Sequence, residues 1–313
     1  MEKRRLHQLN TQNEWYTDLA MEERERFRGI DQEISGVIIE KLDETRANMH
    51  ITKVEIKNEH GAAVMRKPMG IYFTLEAKEL SEDTDQSEVF AEILADYIES
   101  LIPENAKNIL AVGRGNQEMT ADALGPKVVN KLWITRHYSK EGLSSMIPGV
   151  MAKTGMETAM IVKGVTKETN PDLIVVIDAL AARSASRLGT TIQITDTGIW
   201  PGSGVGNHRN GMNKESLGVP VIAIGIPTVV KTTSLIKDMW NYLAHTFADS
   251  EETRELGIKM QQLCEKQWQS AAAEMPIQQA GCMYVMPKDM DERVVRLSHI
   301  LSEGINLAVH SRK

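Results

Sequence analysis

Cysteine is scarce in this sequence: Cys264 and Cys282 are the only two in 313 residues. The N-terminus, Met1-Glu2-Lys3-Arg4-Arg5, leads into polar sequence with no apolar signal core. Disulfides are rare in cytosolic proteins, so reduced thiols in a cytosolic chain are the expectation. A chain of this length buries enough core to need no covalent staple. Long apolar runs are also missing. The longest candidate, Val219 to Val230, is broken by Pro220, Gly225 and Pro227. It falls short of the roughly 18 residues a membrane-spanning helix requires, which predicts a soluble protein without membrane contact. A basic excess is absent too. The 43 acidic residues outnumber the 36 basic ones, for a net charge of −7. That balance disfavours adhesion to phosphate backbones, so nucleic acid is not an expected direct partner.

Several catalytic signatures are lacking. Ser203 lies in Pro201-Gly202-Ser203-Gly204-Val205 rather than in a Gly-x-Ser-x-Gly elbow, and the eight histidines form no His-Glu-x-x-His. Neither cysteine has a histidine beside it in sequence. His208 lies near a glycine-rich stretch without other ligands at metal spacing, which favours a solvent-facing role.

What is present is a succession of strand and helix patterns. Residues 1–18 are polar and charged, with Trp15 and Tyr16 as anchors, a frayed tail or a removable extension. Residues 36–77 read as a β-rich subdomain, with strands at 37–39, 51–56 and 70–75 and a turn at Asn58-Glu59-His60-Gly61. Helical spacing of Val89, Phe90, Ile93, Leu94, Tyr97, Ile98 and Leu101 predicts an amphipathic helix. Strand, loop and helix then alternate: a strand at 108–112, a helix at 123–133, an irregular stretch, a helix at 156–165, and strands at 172–180, 190–194 and 219–226. Residues 248–313 close the chain as helices. This order predicts one three-layer α/β domain over 19–313, a mainly parallel twisted sheet flanked by helices, with the β-hairpin subdomain added.

Three segments carry chemistry. In the first, the strand ending at Val112 empties into Gly113-Arg114-Gly115-Asn116 and then Thr120-Ala121-Asp122. Glycines there allow a tight turn and bring N–H groups near whatever lies at the strand's end. A dinucleotide fingerprint needs a third glycine where Glu118 stands. Asp122 sits at a helix mouth, where it is either a functional carboxylate or an ordinary cap. In the second segment, Asp178 interrupts the apolar run Leu173 to Leu180. A carboxylate at that end of a parallel strand sits where such sheets place ligands, although pairing with Arg183 or Arg187 would also account for it. The third is the loop from Ile194 to Asn207, with Asp196, Gly198, Gly202, Gly204 and Gly206. Such loops wrap a substrate backbone or donate N–H groups to an oxyanion.

These stretches, together with Pro148 to Thr158, Ile177 to Arg183 and Asp196 to Asn207, resemble the germination protease family of spore-forming bacteria from Thr17 onward. The family is distantly similar in fold to hydrogenase maturation proteases. The resemblance implies an aspartic-type endopeptidase that degrades small acid-soluble spore proteins in the spore core, with Asp122 and Asp178 as the catalytic pair. It also implies a homotetramer and a precursor shortened at its N-terminus. Thr17-Asp18-Leu19-Ala20-Met21-Glu22 resembles the processing site, which places the scissile bond at Asp18–Leu19 and makes residues 1–18 the propeptide.

Two carboxylates held close do not both ionise easily, so one keeps a proton while the other activates water. Gly113, Gly115, Asn116, Gly202 and Gly204 are the candidate oxyanion and substrate-binding positions, with Asp196 beside them. No cofactor is expected, because the maturation enzymes' histidine ligand has no clear counterpart here. The rivals are a metal-dependent peptidase using Asp122, Asp178 and Asp196 or His208, and a non-catalytic nucleotide-binding module.

Overall fold

The computed structural model describes residues 17–25, 34–82, 85–139, 141–200, 210–263 and 283–311. Residues 1–16, Gly202, Gly204, His208, Cys264, Cys282 and part of the helical stretch expected at 248–313 lie outside the described residues.

Nine strands form one sheet: β1 (Val37–Glu44), β2 (Met49–Ile56), β3 (Gly70–Glu76), β4 (Asn108–Gly113), β5 (Gly142–Met146), β6 (Leu173–Ala182), β7 (Thr191–Thr195), β8 (Val221–Lys231) and β9 (Tyr284–Val285). Their order is β1-β2-β3-β7-β8-β6-β4-β5, with β9 added to the end of β8. The half made of β5, β4, β6 and β8 is parallel, as expected of strands alternating with helices. The other half, from β8 through β7 and β3 to β1, is antiparallel. The β-rich stretch expected at 36–77 extends this same sheet through the pairing of β3 with β7.

Both faces of the parallel half are covered, which is why Leu173 to Ile177 is apolar without alternation. Ile109, Ala111, Val175 and Ile177 face a core with Phe90, Leu94, Leu297 and Leu301 from the helices Ser87–Leu101 and Met290–His310. Leu110, Val112, Ile174 and Val176 face a smaller core with Ala159 and Val162 of the helix Thr158–Thr169. Among the described residues no helix is long and apolar enough to cross a membrane.

Three local expectations change. Asn58 to Gly61 is the start of a helix, Glu59–Met65, because the Asn58 side chain accepts the Gly61 N–H at 2.8 Å as an N-cap. That helix stops at Arg66, in the left-handed region at φ 50°. The helix expected at 123–133 shortens to Leu124–Val129 behind a 3-10 turn, Thr120–Asp122. Edge strand β5 lies in the stretch read as irregular, since its Gly-Leu-Ser-Ser-Met sequence has little apolar signal.

Candidate active site

In the pairing of β4 with β6 the last partners are Gly113 and Ile177. Asp178 is therefore the first residue of β6 beyond the end of β4, at the carboxyl edge where parallel sheets leave a crevice. On its other side it pairs with Gly225 of β8, which has no side chain. Asp178 is buried, and the Arg114 guanidinium donates to its carboxylate. Loss of water raises the Asp178 pKa from 3.8 to about 7. Arg114 opposes the rise, while the charges of Asp122 and Asp18 add to it. Asp122, Asp178 and Asp18 are thus electrostatic neighbours, drawn together from three distant parts of the chain.

Arg114 is placed by its own N–H, which donates to Ile177 O at 2.8 Å. Gly113 and Gly125 let the strand and the Leu124–Val129 helix touch. A β-carbon on Gly113 would lie 2.5 Å from Gly125 O, and one on Gly125 would lie 2.4 Å from Arg114 O. Gly115, at φ +116°, brings the loop against Asp122, where a β-carbon would stand 1.8 Å from Asp122 O. Asn116 then donates its N–H to the Asp122 carboxylate at 2.8 Å. The Thr228 hydroxyl ties the turn to β8 by donating to Ala121 O at 2.6 Å. Asp122 is not the cap of the following helix, whose N-cap is Ala123 with no side-chain bond. Of the expected oxyanion donors, Asn116 directs its N–H at Asp122.

Residues 17–25 cross this edge of the sheet. Asp18 N–H donates to Ala181 O at 3.1 Å, and Ala181 N–H donates to the Asp18 carboxylate at 2.9 Å. Leu19 is fully buried in the main core, and Ala20 is fully buried among Val54, Ile56, Met65 and Tyr72. Glu22 accepts from the N–H groups of Arg183 at 2.7 Å and Ser184 at 2.9 Å, beyond the end of β6. Arg187 lies within 3.5 Å of Glu22 and 2.7 Å of both Glu25 and Glu76. Arg187 is engaged there, and the Arg183 guanidinium donates to Asp238 at 2.5 Å, so both alternative partners for Asp178 are taken up elsewhere.

Two further side chains hold the segment. Lys67 Nζ donates to Thr17 O at 3.1 Å and Asp18 O at 2.9 Å. Gln193 Nε2 donates to Asp18 O at 3.1 Å, and its Oε1 accepts Ala20 N–H at 2.7 Å. Both line a cavity with Asp18, Tyr72, Trp200 and Gly225.

The structure does not bring Asp196 to the carboxylates. Its Oδ1 accepts the Ile71 N–H at 2.8 Å, fastening the end of β7 to β3, and burial raises its pKa. Among the described residues no three His, Cys, Asp or Glu groups are arranged to hold a metal ion. Sequence reasoning missed Lys67, Gln193 and Arg114. Gln193 left a trace, a polar residue between Ile192 and Ile194, and Arg114 sat inside the glycine-rich segment. Lys67 left none.

A family model described as germination protease matches residues 15–273. The chain is 41% identical over 306 residues to the germination protease of Caldanaerobacter subterraneus subsp. tengcongensis, covering 94% of this chain and 93% of that protein. It is 37% identical over 308 residues to that of Clostridium perfringens, covering 94% of each. Over 346 aligned positions it is 37% identical to that of Bacillus subtilis, covering 95% of this chain and 93% of that protein.

Proposed function

This chain belongs to the germination protease family and is a peptidase, and from that premise we propose an aspartic-type endopeptidase made as a self-processing zymogen. Its substrates are small acid-soluble spore proteins in the spore core, its scissile propeptide bond is Asp18–Leu19, and its assembly is a homotetramer. One observation supports the reading above all: residues 17–20 lie bound, main chain and side chain, at the sheet edge where Asp18 and Asp122 both raise the pKa of Asp178.

In this mechanism Asp178 carries its proton below about pH 7, because its surroundings favour the neutral acid. Asp122, held by Asn116 N–H, is the charged partner and the base that takes a proton from the attacking water. Water adds to the Asp18 carbonyl carbon, the C–N bond breaks, and Asp178 supplies the proton that Leu19 nitrogen needs to leave. The Ala181 N–H on the Asp18 carboxylate selects an acidic residue before the cut. Buried positions for Leu19 and Ala20 select an apolar residue and a small one after it.

Asp122→Asn and Asp178→Asn, made separately in the full chain, test the pair. Each is expected to fold, to keep the Asp18–Leu19 bond intact, and to lose about 10²- to 10⁴-fold in cleavage of a Thr-Asp-Leu-Ala peptide. Parent-level cleavage by either folded variant would remove that residue from the mechanism.

A further inference from the structure

Four residues lie in one row across the sheet: Thr74 of β3 pairs with Gln193 of β7, Gln193 with Gly225 of β8, and Gly225 with Asp178 of β6. Neighbours in such a row point to the same face, so Gln193 and Asp178 project from strands about 10 Å apart. Between them the Leu180 side chain lies over Gly225, where a β-carbon would come within 2.5 Å of it. The segment at Asp18 meets the amide of Gln193, and its charge acts on the carboxyl of Asp178. Lys67 reaches the same place from outside the sheet. It follows the left-handed Arg66, and its own N–H closes the helix end on Ala62 O at 3.2 Å.

We propose that Lys67 and Gln193 form the carbonyl-binding site of this peptidase, gripping the scissile link of a bound chain and holding the charge its oxygen acquires during hydrolysis. The assignment deepens the peptidase reading and rests on it. Two donors already converge on one acceptor, with Lys67 Nζ at 2.9 Å and Gln193 Nε2 at 3.1 Å from Asp18 O. Gln193 also accepts Ala20 N–H at 2.7 Å, so one side chain spans the link through main-chain groups alone. That grip is indifferent to side-chain identity and fits any extended chain.

As water adds to the carbonyl carbon, its oxygen forms the new bond, one proton leaves to the aspartate base, and the carbonyl π pair moves onto the oxygen facing Lys67. When the intermediate collapses, that pair re-forms the carbonyl, the C–N bond breaks and the nitrogen takes a proton from the acid. Water is the only co-reactant. Lys67 is half-buried, and the loss of water around its ammonium pushes its pKa below the usual lysine range, against the carboxylates of Asp18, Glu23 and Glu22. A cation in so dry a place is costly to the resting fold, and its interaction strengthens as an oxyanion develops beside it.

The test compares the full chain with Lys67→Met and Gln193→Leu, using a Thr-Asp-Leu-Ala peptide and its phosphinic analogue, in which a tetrahedral phosphinate replaces the scissile link. Lys67→Met should lower kcat by roughly 10²- to 10³-fold with a much smaller rise in KM. It should weaken phosphinate binding by a similar factor and binding of the uncut peptide by at least about tenfold less, and it should melt no lower than the parent. A Lys67→Met chain that cuts itself and the peptide within about threefold of the parent overturns the assignment, as does equal weakening of phosphinate and peptide. Were Lys67→Met not to fold, Gln193→Leu is read by the same comparison. A parent that cuts neither itself nor the peptide would sink the peptidase reading, and the assignment with it. A parent that cuts beside an equally active Lys67→Met sinks the assignment alone.

Discussion

Replacing Asp178 by Asn should erase a pH dependence of folding stability that the parent chain carries. Loss of water moves the Asp178 pKa from 3.8 to about 7 in the fold, against the pull of Arg114. Between those values the folded chain keeps a proton here that the unfolded chain has released. The folded state therefore binds more protons, and stability falls as pH rises from 3.8 to about 7, then levels off. Each pKa unit is worth about 1.4 kcal/mol, so the fall is about 4 kcal/mol. An amide does not ionise and has no such window. It also changes the group that accepts from Arg114, but that cost is nearly constant over the window and drops out of the slope. Urea unfolding of both chains, followed by tryptophan fluorescence at pH values spanning the window, measures the difference. Mass spectrometry of each sample confirms that the chain is uncut. The stability gap between parent and variant should change by about 4 kcal/mol across the window. Parallel curves, within about 1 kcal/mol, would show that Asp178 is not held neutral and would remove it as the proton-bearing partner.

Two further outcomes follow from the same geometry. Self-cleavage after Asp18 should quicken as pH falls through about 7, where Asp178 gains its proton; a flat profile in timed mass spectra would contradict the acid role. Gly115→Ala should cost at least about 2 kcal/mol in unfolding free energy and slow peptide cleavage, because φ +116° and a contact 1.8 Å from Asp122 O force the loop off Asp122; unchanged stability and rate would show that the loop does not position it.

Much of the fold was legible because burial on two faces leaves a plain mark. Leu173 to Ile177 could only be an interior strand, and Asp178 stood out by breaking it. Ambiguity arose where one residue serves two local structures. Asn58 begins turns and caps helices alike, and Asp122 stands where a cap is ordinary. The clamp on Asp18 was beyond local reading. Lys67 follows a helix end, Gln193 sits mid-strand, and their meeting depends on the pairing of β3 with β7, segments more than a hundred residues apart. Asp196 had composition in its favour but a structural duty at Ile71.

The fully buried Leu19 bears on what would follow the proposed cut at Asp18–Leu19. Hydrolysis turns one neutral amide into two ionisable ends, and the new amine of Leu19 begins life in a dry interior that had packed an uncharged residue. Such an end is poorly tolerated away from water. Under the proposed processing, scission would thus weaken the seat of its own product, so the first turnover would loosen the segment in the crevice and leave it vacant for another polypeptide.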